Sequence, residues 1–302
     1  MTTFAEVARA LGQDLDNGTE VRGVSASSAP RPNTLSFVRQ WSEDAAATVA
    51  GNPDTLFIVP DGAVPDGAAS SPNVVTAANP RLAYALAVRD CLRDDAEPEV
   101  ASTAAVSDGA KIGDRVSIGH FCVIEDGVEI ADGAFIDHHV VLRTGVSVGE
   151  RTRIGSHTSV GGPGFGFEMD DEGHPVRLGH MGGVVIGSDV EIGSHVSIAQ
   201  GTIEPTVISD HAKIDDCVFI AHNVHVGKSS FVIAGAEISG SVTIGERVWI
   251  SPEVTVINKV SIGDDALVGI GAVVVRDVEA NTVVAGVPAK PRGQRYPTEP
   301  AS

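Results

Sequence analysis

The chain has 302 residues, of which 42% are hydrophobic, 20% charged, 4% aromatic and 34 glycine; it is long enough for two domains and suits a core of small β-branched side chains with many tight turns. A net charge of −19 disfavours nucleic acid, anionic membrane and an acidic carrier protein as partners, and no dense Lys/Arg cluster offsets it. No run approaches the ~20 apolar residues of a membrane span, MTTFAEVARALG lacks the regions of a signal peptide, and Cys91, Cys122 and Cys217 have no metal or disulfide spacing, so a reduced cytoplasm is the expected location.

The first hundred residues read as a small α/β domain. Phe4, Val7, Ala8 and Leu11 have helical spacing, and Gly12 ends that helix. TLSFV, TLFIVP and NVVTA read as strands between Pro/Gly/Asp turns. Pro80 opens a second helix, PRLAYALAVRDCLRDD, with proline placed in the first turn. The boundary is expected within residues 94–102.

A different pattern then takes over. Aliphatic residues recur every sixth position from Val106 to Val160, again at Ile186, Ile192 and Ile198, and again from Ile208 to Val274. Neither the 3.6 period of a helix nor the period of 2 of an ordinary strand explains this; a fixed short period marks a solenoid. Each unit is one short strand and one corner, and three units make one turn of a triangular prism with the aliphatics stacked inside. Glycines such as Gly113, Gly119 and Gly187 follow the aliphatic position and are expected to supply corner backbone angles. Two stretches break the period: residues 161–185, and GTIEPT between Ile198 and Ile208. Insertions in a solenoid loop out on its surface, often on the binding face.

The sequence resembles the UDP-3-O-acylglucosamine N-acyltransferases of lipid A synthesis and their relatives that acylate other amino sugars. The resemblance rests on FAEVARALG…VRGV…LSFV…LFIV…ANPRLAYA, on GFGF at 164–167, on GGVVIGSDVEIGSHVSIAQGT at 182–202, and on IDDCVFIAHNVHVG at 214–227. It covers nearly all of the chain to about residue 275. It implies a mainly β fold, a left-handed parallel β-helix behind a small N-terminal α/β domain. Residues 1–100 would be the nucleotide-sugar-binding domain, 101–287 the acyltransferase β-helix and 288–302 a C-terminal tail. It further implies a homotrimer with sites in the grooves between prisms. Acyl transfer would run from a thioester to a sugar amine with no metal and no permanently bound cofactor. The histidine of IAHN, His222, would be general base.

Imidazole titrates near neutrality and can take the proton as an amine attacks. One coil is eighteen residues, so Gly240 lies over His222, and its N–H is the expected oxyanion donor. Asp215, with Asp216 as competitor, is the expected carboxylate that orients the imidazole. Asn223 and His225 are expected to line the groove, and Phe165 and Phe167 to wall the acyl chain. Phe37 matches the position where the family stacks an aromatic on the nucleotide base; Gln40 and Glu43 stand where the family has Asn and Tyr, and Trp41 is either a substitute ring or core. Surface stacking is expected for His120 with His138 and His139 with His157, although such a column leaves a zinc-enzyme reading open.

Three features depart from the lipid A enzymes. Val260 replaces a second histidine, Ala199-Gln200 replaces an Asp-Arg pair, and VVAGVPAKPRGQRYP stands where those enzymes have a long helix that engages acyl carrier protein. That ending resembles acetyltransferases that use acetyl-CoA, with Lys290 placed to meet a phosphate. The expected reaction is thus N-acylation of a nucleotide-linked amino sugar by acyl-CoA. The alternatives are the lipid A enzyme with its acyl carrier protein, and a non-catalytic scaffold.

Overall fold

The computed structural model describes residues 2–62, 64, 65, 67, 71–92 and 97–296. Part of the expected boundary segment (94–96) and of the tail (297–302) lies outside the described residues. The chain divides into two compact units, Met1–Ala96 and Glu97–Ser302.

The first unit is built on a parallel sheet of Gly23–Val24, Thr34–Phe37, Thr55–Pro60 and Val74–Ala77, in that order. Leu56, Phe57, Ile58 and Val59 are fully buried, the continuous apolar run of a strand covered on both faces. Leu35, Leu56 and Ile58 pack with Phe4, Val7 and Ala8 of the helix Phe4–Ala10 and with Ala83 and Ala87 of the helix Pro80–Ala87. Val38, Phe57, Val59 and Val74 form a separate cluster with Val49. Thr3 and Glu6 close a reciprocal capping box on the first helix. Beyond Ala87 the second expected helix widens into a π-type turn, Val88–Leu92. A further helix, Glu43–Gly51, is absent from the sequence reading; Ser42 caps it, but EDAAATVAG buries only Val49 and so has no apolar stripe to detect.

The second unit is the expected prism. Its strands, mostly two residues long, stack into parallel sheets of nine and eight strands and a third of ten whose last strand is antiparallel. Ile118, Ile136 and Ile154 lie in register on successive coils. The repeated aliphatics from Ile208 to Val274 are at most 3% exposed, each contributing ~1.5–3 kcal/mol by burial. A second inward column, with Val116, Cys122, Val128 and Val140, fills the corners. Burial pushes the Cys122 thiol up. Where this column is polar it is satisfied: Thr152 Oγ1 donates to the Gly187 carbonyl and accepts from Val190 N–H.

The glycine expectation needs correction. The positive φ values at corners fall two residues later, on Arg115, Phe121, His139, His157 and Asn223 at 57–63° and on glycines in the same place, Gly127, Gly133, Gly145, Gly235 and Gly271, at 63–82°, not on Gly113, Gly119 or Gly187. Those glycines serve close approach instead. A Cβ at Gly119 would lie 2.8 Å from the backbone nitrogen of His138 on the next coil.

Both interruptions leave the same corner, the one between the nine-stranded and the eight-stranded sheet. The first carries an antiparallel hairpin, Phe167–Met169 with Pro175–Arg177, and returns through Val184–Ile186. The second runs from Ser197–Ala199 to Thr206–Ile208.

Candidate active site

His222 stands on that corner, directly after the strand Phe219–Ile220. Its Nδ1 is 3.0 Å from Asn223 Oδ1. The amide's orientation follows from its other bonds: Nδ2 donates to the Glu204 carbonyl at 2.9 Å, and Oδ1 accepts from Thr202 N–H at 3.1 Å and Thr202 Oγ1 at 2.9 Å. Oδ1 can only accept, so Nδ1 of His222 carries the proton and Nε2 presents a lone pair. Thr202 and Glu204 belong to the second interruption, so the insertion that breaks the repeat also fixes the tautomer.

Gly240 lies one coil above, as the eighteen-residue spacing requires: Ser241 N–H donates to the His222 carbonyl. A Cβ on Gly240 would come within 2.7 Å of His222 Nε2, so only glycine leaves room for the ring. Among the described residues the Gly240 N–H has no hydrogen-bond acceptor. A lone pair and a free donor N–H thus sit side by side, the pair needed to accept a proton and stabilise a developing oxyanion.

The carboxylate expectation is not met. Asp215 lies at a different corner, where its oxygens accept from Asp216 N–H at 2.9 Å and Ala234 N–H at 3.2 Å; it makes no hydrogen bond to His222, and Asp216 is taken up by Ser194 N–H. The orienting group is the neutral amide of Asn223. Sequence reasoning missed this because the insertion that aims the amide has no repeat register. His225 is also apart: it points outward from the strand His225–Val226, its Nε2 3.1 Å from Ser209 Oγ.

The first interruption folds back over the imidazole. Its His180 packs edge-on against His222 with ring centroids 5.0 Å apart, and Gly164 lies against both rings. His180 is the residue the sequence reading overlooked. Phe165 and Phe167 contact each other at 4.9 Å, Arg177 lies over the Phe167 ring, and its Nη1 donates to the Gly164 carbonyl. Phe165, Met181 and Ile203 are 86%, 88% and 83% exposed, an apolar rim supplied by the two interruptions.

Lys290 lies on the strand Lys290–Gln294 and lines a cavity of about 610 Å³ together with Arg276, Asp277, Thr282 and Gln294. Arg276 shares the corner of His222 and Gly240, three coils on, or ~14 Å at the usual strand spacing. In the first unit, Phe37 packs on Tyr84 at 4.9 Å, Trp41 packs on the Val38–Val49 cluster, and Gln40 is exposed. The two rings are both half-buried and belong to different clusters. The histidine column is longer than expected: Phe121, His139, His157 and His195 stack at 4.7–5.1 Å, with His120 and His138 beside them at 5.5 Å. Among the described residues no three His, Cys, Asp or Glu side chains gather as a metal would require, and no helix is long and apolar enough to cross a membrane.

The bacterial transferase hexapeptide (six repeats) pattern matches residues 109–144. A UDP-3-O-acylglucosamine N-acyltransferase of Methylorubrum extorquens is 38% identical over 132 residues, 44% of this chain and 37% of that protein. A second such enzyme, from Legionella pneumophila (strain Lens), is 44% identical over 89 residues, 30% of this chain and 26% of that protein. The chain therefore spans less than half the length of the curated relatives it matches. The UDP-N-acetylglucosamine acyltransferase of Francisella novicida superposes with a TM-score of 0.60 at 27% identity, covering 65% of this chain and 70% of that one. LpxA from Acinetobacter baumannii gives 0.60 at 25% identity, covering 65% and 74%. The second unit is accordingly a left-handed parallel β-helix of hexapeptide repeats, similar in sequence to the UDP-3-O-acylglucosamine N-acyltransferases and in fold to the UDP-N-acetylglucosamine acyltransferases.

Proposed function

We propose that the protein is an N-acyltransferase that moves an acyl group from a thioester to the amine of a nucleotide-linked amino sugar, with His222 as general base. The observation that carries this is the pairing of an imidazole in a fixed tautomer, Nδ1–H on Asn223, with the free N–H of Gly240 beside its Nε2. The amine attacks the thioester carbonyl and a new C–N bond forms. Nε2 takes the amine proton, and the oxyanion accepts a hydrogen bond from Gly240 N–H. Collapse of the tetrahedral intermediate breaks the C–S bond, and the proton passes from His222 to the departing thiolate.

Acyl-CoA is the favoured donor. Arg276 and Lys290, with Asp277 and Glu279 in the same lining, face a cavity three coils from His222 along one corner, a span that a phosphopantetheine arm can bridge between its phosphate and its thioester. The apolar rim of Phe165, Met181 and Ile203 suits the acyl chain. The first unit would hold the nucleotide sugar through Phe37, with Gln40 nearby. Phe219 and Phe231, 41% and 36% exposed on the outer faces, fit a cytoplasmic homotrimer in which neighbouring prisms complete the cleft, and Asn223 and His225 would line it. The second reading, transfer from a hydroxyacyl carrier protein in lipid A synthesis, is favoured by the names of the relatives.

A mass-spectrometric assay separates them: acetyl-CoA and 3-hydroxyacyl carrier protein are each offered with UDP- and dTDP-linked amino sugars. N-acylation from CoA is expected. Transfer only from the carrier protein would reverse the donor assignment, and no N-acylation with any pair would end the acyltransferase reading.

A further inference from the structure

The imidazole of His180 is 8% exposed, and its Nε2 is buried without a hydrogen-bond partner. Its Nδ1 is 3.0 Å from the carbonyl oxygen of Leu178. A carbonyl only accepts, so Nδ1 carries the proton and Nε2 is left with a bare lone pair. Buried polar atoms are nearly always paired, and an exception calls for a cause such as a catalytic or ligand-binding role. Here the exception lies against the general base. A Cβ on Gly164 would clash with both rings, 2.5 Å from His180 Nε2 and 2.8 Å from His222 Cδ2, so the bare Gly164 backbone packs against both imidazoles at the point where they meet. The two rings are alike in a further respect: each has its Nδ1–H held by a protein oxygen, Leu178 O or Asn223 Oδ1.

We infer that His180 is a second substrate-contacting imidazole of this site, whose Nε2 accepts a hydrogen bond from one N–H of the acceptor amine while His222 Nε2 takes the other. This rests on the reading of His222 as base. Two fixed acceptors hold the two N–H groups of a primary amine and aim its remaining lone pair at the thioester carbonyl. They also select a primary amine over a hydroxyl, which has a single proton to donate. The strap around Gly164 covers His180 Nε2, so the acceptor displaces that backbone on entry. Leu178 N–H donates to the Gly166 carbonyl and Arg177 Nη1 to the Gly164 carbonyl, which ties the strap to the segment that carries His180.

The test compares His180→Phe, which keeps an aromatic ring but no acceptor, with His180→Gln, which restores an acceptor that does not titrate. Both are assayed beside wild type and His222→Asn on the donor and amino-sugar pair that the preceding assay finds active. His180→Phe is expected to lower kcat at least tenfold with the KM of the acyl donor unchanged, and His180→Gln to recover most of that loss. A His180→Phe enzyme as fast as wild type would overturn the inference, as would a His180→Gln enzyme as slow as His180→Phe. In ¹⁵N spectra of histidine-labelled wild-type protein, which need no variant to fold, the same amino sugar is expected to move the Nε2 signals of both His180 and His222. Movement at His222 alone would also overturn the inference. Full activity in His222→Asn, or no active pair at all, would instead bring down the base assignment beneath it.

Discussion

Two corners of the same prism carry histidines, and they behave differently. At the corner between the ten-stranded and nine-stranded sheets the repeat is unbroken, and its imidazoles stack on one another: His139, His157 and His195 lie 4.7–4.9 Å apart and exposed. At the corner between the nine-stranded and eight-stranded sheets, His222 has no imidazole on the adjacent coil; it has Gly240 above, Asn223 beside it and His180 across its edge. A strict repeat fixes which residue each corner position meets, because position i stacks on position i+18, and so sets Gly240 on His222. The groups that aim Asn223 and cover His222 lie outside that spacing and enter where the chain leaves the repeat. Both insertions emerge at the His222 corner, one supplying Thr202 and Glu204 to aim Asn223, the other supplying Gly164 and His180.

The largest expected effect sets the two corners directly against each other. His222 and His138 occupy equivalent corner places, each just before the residue with positive φ. His222→Ala is expected to lower turnover by ~10²–10⁴, the range for a lost general base, and His138→Ala to leave it unchanged. Comparable rates from the two variants in the steady-state assay would erase the distinction. A smaller effect is expected one residue on, where Asn223 and His157 share φ near 60°. Asn223→Ala removes the hydrogen bond that fixes the tautomer and should cost roughly tenfold in kcat, about the worth of one such bond; His157→Ala should cost nothing. A loss in the second variant as large as in the first would make the stacked column part of the site.

The smallest effect concerns the remaining corner, where the Arg151 guanidinium holds the Asp189 carboxyl below the usual carboxylate range. A carboxyl lowered in the folded state adds stability above its unfolded pKa and loses it as pH falls through the folded value. Asp189→Asn should therefore melt slightly below wild type at neutral pH and converge with it in acid, with activity unaffected. A thermal-melt difference that persists at low pH would assign the loss to packing rather than charge. The pair is solvent-exposed, which keeps the effect small.

Much was legible before any coordinates. The six-residue period gave the prism, its inward aliphatics and the stacking of Gly240 on His222, because in a solenoid the contact between coils follows from sequence spacing alone. The strands of the first unit were equally plain, as continuous apolar runs between turn residues. The helix Glu43–Gly51 was not, since it buries one side chain and has no stripe. Proximity along the chain and the usual preference for a carboxylate point to Asp215 as the orienting group, yet the strand Phe219–Ile220 separates its corner from that of His222.

Period and composition by themselves determined the β-helix, the corner that bears His222 and the coil that lies above it. Only the tertiary structure decided that Asn223 rather than Asp215 holds the imidazole, and that His180 lies edge-on to it. The physical reason is that a repeat encodes its own neighbours, whereas the 161–185 and 199–205 segments are free of the repeat and are placed by hydrogen bonds and packing that no periodicity records.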